Sequence, residues 1–89
     1  MSLEENWILQ IDSSLIKSLK RLPRKDGRRI LSEIESLSSN PFTGDIQKMK
    51  GEDNVWRRRV GSYRIFYEVI SKKRAVYVYH IERRTTTTY

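Results

Sequence analysis

The stretch VWRRRVGSYRIFYEV, Val55 to Val69, constrains this chain more than any other segment. Apolar and polar residues alternate on both sides of Gly61-Ser62. Two alternating runs joined by a two-residue turn that begins with glycine predict a β-hairpin. Period-two alternation then assigns sides. On the second run Tyr63, Ile65, Tyr67 and Val69 form an apolar and aromatic set that must pack a core, while Arg64, Phe66, Glu68 and Ile70 point away. On the first run Trp56, Arg58 and Val60 share the inner face, and Arg57 and Arg59 join Arg64 on the outer one. Trp56, Tyr63 and Tyr67 are the expected aromatic part of the core. Arg58 is the odd residue, expected near an edge.

Three guanidinium groups on one open face repel each other unless an anion binds there. Among the acids, only Glu68 is expected on that face, and it can neutralise one of them. Guanidinium groups stay charged and grip phosphate in a forked geometry. The cluster therefore predicts a phosphate-binding groove rather than a solvated strand.

The other elements follow from period and punctuation. NWILQID is a short apolar run, a first strand at residues 6–11, and Asp12-Ser13-Ser14 are helix-capping residues. Leu15, Ile16, Leu19 and Leu22 then mark one face of a helix, and Ile30, Leu31, Ile34 and Leu37 mark a second. Pro23 separates them, either ending the first helix or opening the next. The helical hairpin occupies residues 12–39. Lys17, Lys20, Arg24, Lys25, Arg28 and Arg29 lie mostly off these stripes and are expected as a solvated helix face. SSNPFTGD is turn chemistry. A short strand IQKMKG, the arginine hairpin, a turn at Ser71-Lys72-Lys73 and a strand AVYVYHI complete an antiparallel sheet over residues 46–82, with a tail at 83–89. In the last strand the alternation is undecided: Val76, Val78 and His80 compete with Tyr77, Tyr79 and Ile81 for the core face. The expected architecture is one α+β domain spanning residues 1–89: an N-terminal strand, a two-helix hairpin and an antiparallel β-meander.

Charge and composition narrow the partners. The net charge is +7. Residues 1–45 carry seven Lys/Arg and seven Asp/Glu, whereas residues 46–89 carry eleven against four, so the whole excess lies in the second half. Such asymmetry points to an anionic partner. Cysteine is absent and His80 is the one histidine, which removes disulfides, thiolate sites and histidine-rich metal sites; no cofactor is implied. The carboxylates show no calcium-loop spacing. No apolar run reaches the length of a membrane span, and the N-terminus has no apolar signal core, so the expected location is the cytoplasm, with no membrane partner.

LKRLPRK, NPFTGDIQKMKG, VWRRRVGSYRIFYEV and VYHIERR, in this order from about Leu9 onward, resemble the RelE/ParE-type toxins of toxin–antitoxin pairs. The central piece matches the family pattern Y-R-x-R-V-G-x-Y-R-x-x-Y closely. The resemblance implies a helical hairpin packed on a twisted antiparallel sheet. In the RelE-like branch it implies cleavage of messenger RNA in the ribosomal A site. There a ribose 2′-OH attacks the adjacent phosphate to leave a 2′,3′-cyclic phosphate, without metal. The family's functional residues fall on Arg57, Arg59, Arg64 and Arg84, with Arg83 as a substitute for Arg84, and its C-terminal tyrosine on Tyr89. Lys48, Lys50, Arg58, Arg83 and His80 are the accompanying substrate-binding candidates. The implied partners are an acidic RelB-like antitoxin, the ribosome and messenger RNA.

That chemistry needs a base, an acid and charge stabilisation on the phosphorane. Arginine serves the third task and is a poor base, because its guanidinium stays protonated and offers no acceptor. Tyr89, His80, or the substrate and ribosome themselves are the remaining proton acceptors. Tyr89 stands five residues beyond Arg84, after four threonines, and is the last residue, a departure from the family pattern. Two alternatives share the fold: a ParE-like inhibitor of DNA gyrase, and an inactive RNA-binding homologue.

Overall fold

A computed structural model describes residues 6–83. The elements are β1 (Ile8–Ile11), α1 (Ser13–Arg21), α2 (Arg24–Ser36), β2 (Ile46–Lys48), β3 (Val55–Val60), β4 (Tyr63–Ile70) and β5 (Ala75–Arg83), with a 3₁₀ turn at Ser71–Lys73 before β5. The five strands form one sheet in the order β1-β5-β4-β3-β2. β2 to β5 are the expected antiparallel meander. β1 adds itself parallel to β5, with Leu9 opposite Val76 and Ile11 opposite Val78. The architecture is α+β. Arg83 is the last residue of β5 rather than the first of a tail.

Both helices lie on one side of the sheet because their apolar stripes match its inner face. Leu15 of α1, Ile30 and Ile34 of α2 and the C-cap residue Leu37 are buried against Val60, Tyr63, Ile65, Tyr67, Val76 and Val78. Two members of the expected stripes stay outside: Ile16 and Leu31 are 44% and 39% exposed. Asp12 is the residue before α1 and its carbonyl accepts the Leu15 N–H at 2.9 Å. Its carboxylate, however, accepts the Ser14 hydroxyl instead of capping a backbone N–H. Pro23 both ends α1 and precedes α2, its carbonyl accepting the Gly27 N–H at 2.9 Å. No helix of the described residues is long and apolar enough to cross a membrane.

The hairpin turn has a positive φ at Gly61, +60°. A type II′ turn requires this at its first central residue, where glycine carries no Cβ penalty. Arg58 is not at an edge, because β3 lies between β2 and β4.

The undecided parity of β5 is resolved by a β-bulge. Phe66 pairs with His80 but Tyr67 pairs with Val78, leaving Tyr79 as an extra residue in β5. A bulge inserts one residue and reverses the alternation beyond it. Val76 and Val78 therefore face the core, Tyr77 and Tyr79 face out, and then Ile81 turns inward while His80 and Glu82 turn outward. Each of the two competing patterns is right for half of the strand.

The segment between α2 and β2 closes one end of the core. Pro41 is buried there, and the hydroxyl of the fully buried Tyr67 donates to the Pro41 carbonyl at 2.7 Å. Burial pushes the Tyr67 hydroxyl up to about 12. Phe42 lies edge-on to Trp7 and Trp56, at 6.1 Å and 5.5 Å between ring centroids. Replacing Tyr67 with Phe leaves the Pro41 carbonyl buried and unpaired, a loss of about 1–3 kcal/mol. A fall in melting temperature of several degrees, followed by circular dichroism, is the expected result; an unchanged melt removes this contact from the account.

Candidate nucleic-acid interface

The sheet face opposite the helices is open, and the register sets its side chains in rows. Gln47, Arg57, Phe66 and His80 form one row across β2, β3, β4 and β5. Arg59, Arg64 and Glu82 form the next. Asp45 stands just before β2, and its carbonyl accepts the Arg59 N–H at 2.9 Å. Arg57, Arg59 and Arg64 thus come together as alternation predicts. With Asp45 and Gln47 they line a cleft of about 190 Å³.

The arginines are better partnered than expected. Asp45 Oδ2 accepts from Arg59 Nε at 2.9 Å, and Glu82 Oε1 lies 3.8 Å from Arg64 Nη1. Arg57 donates to the neutral Gln47 side chain. The expectation that Glu68 alone shares this face is therefore corrected. Glu82 reaches it because the Tyr79 bulge reverses parity, and Asp45 because a loop brings it there. The Arg59–Asp45 pair is exposed and the Arg64–Glu82 pair partly so, and such pairs contribute little. Three guanidinium groups against two carboxylates leave the cleft with positive charge that an incoming phosphate can exchange for.

The other sequence candidates separate. His80 is exposed on the same face, its ring 5.3 Å from that of Phe66. Arg58 points the opposite way, toward α2, where its Nη2 is 2.6 Å from Glu33 Oε1 with the arginine side chain 13% exposed. It joins the interior and not the arginine cleft, because it shares the inner face with Trp56 and Val60. Lys48 pairs with Trp56, so it shares the inner parity and not that of Arg57. Lys50 is exposed in the turn after β2. Arg83 pairs with Tyr63 and sits over its ring at 5.5 Å, on the helix side of the sheet. Arg84 and Tyr89 lie outside the described residues.

None of the described tyrosines that titrate abnormally is an activated base. The hydrogen bond from Tyr63 to Asp26, 2.8 Å long, and then burial hold that hydroxyl above its ordinary value. Burial is the leading cause for Tyr67, Tyr77 and Tyr79, which are raised as well. All four keep their protons near neutral pH.

A second surface feature is a groove of about 630 Å³ beside the helical hairpin. Ile11, Ile16, Leu19, Leu22 and Leu31 supply its apolar lining, and Lys20, Arg24 and Arg28 line it too. These basic residues were expected as no more than a solvated helix face.

The family model of the ParE toxin of the type II toxin–antitoxin system parDE matches residues 9–87. This chain belongs to that toxin family. RelE1 of Methanocaldococcus jannaschii is 34% identical to the toxin over 79 residues, 85% of this chain and 88% of the relative. A chain of the archaeal RelE–RelB complex of Pyrococcus horikoshii superposes with a TM-score of 0.79 at 25% identity, covering 92% of the toxin and 99% of that chain. The RelB–RelE antitoxin–toxin complex of Methanococcus jannaschii gives 0.62 at 32% identity, with 83% and 88% covered. The toxin is RelE-like, and these complexes support an antitoxin as its partner.

Proposed function

We propose that this toxin is a ribosome-dependent messenger RNA endonuclease that cleaves by attack of a ribose 2′-OH on the adjacent phosphate. The convergence of Arg57, Arg59 and Arg64 on one cleft carries this reading. Preorganised cations aimed at a phosphorane stabilise the charge that develops on its equatorial oxygens. Forked guanidinium groups also fix the phosphate for in-line displacement. A guanidinium carries donors only and so does not accept the 2′-OH proton. His80, at the end of the Arg57 row, and Tyr89 are the candidates of this chain for proton transfer. Purified toxin added to programmed ribosomes is expected to yield fragments ending in 2′,3′-cyclic phosphate, with naked RNA left intact. Absence of such fragments overturns the reading.

A DNA gyrase inhibitor is the second reading, favoured by the ParE family match over residues 9–87. Accumulation of gyrase-linked DNA breaks on expression, with messenger RNA intact, selects it. An inactive RNA-binding homologue would arrest growth by neither route.

In either case the groove beside the helices suits an acidic antitoxin. An amphipathic helix can lay its apolar face on Ile16, Leu19 and Leu31 and its carboxylates against Lys20, Arg24 and Arg28. Ile16 and Leu31 are exposed, so Ile16→Asp and Leu31→Glu should change stability by no more than about 0.5 kcal/mol. Each is expected to weaken antitoxin binding by about 30-fold or more, as loss of a buried anchor does. Titration calorimetry with the antitoxin checks this; unchanged affinity places the antitoxin elsewhere.

A further inference from the structure

We propose that the sheet face beside the arginine cleft carries a nucleobase-stacking subsite formed by Phe66 and His80. The proposal rests on RNA being the ligand of the cleft. Phe66 has no packing role in the core: the inward residues of β4 are Tyr63, Ile65, Tyr67 and Val69, and Phe66 faces the open side. It is half-buried there, opposite Arg57 in register and two residues from Arg64 on the same face. Its other cross-strand neighbour is the exposed His80, with ring centroids 5.3 Å apart and planes 43° apart.

Cross-strand neighbours stand about 5 Å apart. A nucleotide whose phosphate sits on Arg57 therefore has its base within reach of the Phe66 ring. Basic grooves flanked by exposed aromatic rings bind single strands in this way, the groove following the backbone and the rings taking the bases. Every base has a π-face, so such a subsite tolerates sequence. The face also has a direction. Beyond Phe66, Glu68 shares this face next to Tyr77, so negative charge there turns a polyanionic backbone toward the arginines. The base then lies over the rings and the phosphate over the cleft.

The test uses the full chain and two probes: a 2′-O-methyl RNA trinucleotide, which lacks the nucleophile, and its abasic counterpart. Affinities are measured over a range of salt concentrations. Phe66→Leu is expected to weaken the base-bearing trinucleotide about ten-fold with an unchanged salt slope, since the phosphate contacts remain. It should leave the abasic probe unaffected. Phe66→Tyr and Phe66→Trp keep a ring and should keep the affinity, which serves if the leucine variant folds poorly. His80→Ala should show a smaller loss of the same kind. Arg57→Ala should weaken both probes and lower the salt slope by about one. Equal binding of both probes by the unaltered toxin, or an equal loss on both in Phe66→Leu, overturns the stacking subsite while leaving the cleft intact. No salt-dependent binding of either probe, or binding indifferent to Arg57→Ala, overturns the cleft as a site for free RNA and the subsite with it, whereas the ribosome-dependent reading falls only if programmed ribosomes yield no cyclic-phosphate fragments.

Discussion

Arg64→Ala is expected to abolish growth arrest when the toxin is expressed without its antitoxin, and to reduce cleavage on ribosomes by about 100- to 1,000-fold. Arg64 lies on the inner strand β4, directly opposite Arg59, and closes the cleft on the side facing β5. Loss of one preorganised charge-stabilising donor costs about 100- to 1,000-fold in rate. Its fold should be unaffected. The Arg64–Glu82 pair is long, 3.8 Å, and partly exposed, and removing Arg64 relieves repulsion with Arg59. Arg64→Lys should recover only part of the activity, because an ammonium keeps the charge and loses the fork. Growth curves, ribosome-programmed cleavage and a thermal melt measure the three quantities. Unchanged cleavage in Arg64→Ala would show that the cleft is not the catalytic clamp.

The largest loss of stability should come from Glu33→Ala. Glu33 lies one turn after Ile30 on α2, and Arg58 on the inner alternation of β3. The two charges meet at 2.6 Å. The guanidinium is enclosed. It occupies the space a Cβ on Gly44 would need, 2.8 Å from that position, and its Nη1 is buried without a hydrogen-bond partner. Removing one member of a buried pair strands the other, at about 3–5 kcal/mol. Glu33 is one-third exposed, so about 2–3 kcal/mol is expected here. For a domain of this size that lowers the melting temperature by about 10–20 °C. The double variant Glu33→Leu with Arg58→Met should regain most of the loss, since apolar residues of similar volume often replace such pairs without penalty. Cleavage per folded molecule should persist in the double variant. Its disappearance would return Arg58 to the substrate-binding set.

The sequence held clear signals for some of this and none for the rest. Phe66 was visible as an aromatic two residues from Arg64, hence on the same face. Arg58 was visible as a charge interrupting an apolar alternation, whereas Glu33 gave no such signal. That Arg58 and Glu33 are partners was not visible, since the period of a helix and that of a strand say nothing about which turn faces which residue. Ile16 and Leu31 fit their helical stripes as well as Ile30 and Ile34 do. They stay exposed because α1 and α2 pack one stripe on the sheet and leave its margin to the groove.

By itself the sequence determined the strands, the two helices, the tight turn at Gly61-Ser62 and the common face of Arg57, Arg59 and Arg64. All of these follow from local periods and from glycine's freedom at positive φ. Tertiary structure decided the acidic partners of those arginines, the inward turn of Arg83 and the outward turn of His80 and Glu82. The places of Glu82, Arg83 and His80 depend on the bulge at Tyr79, which reverses the parity of β5, and that of Asp45 on the loop before β2. A bulge is set by pairing between strands, and pairing exists only once the sheet is assembled.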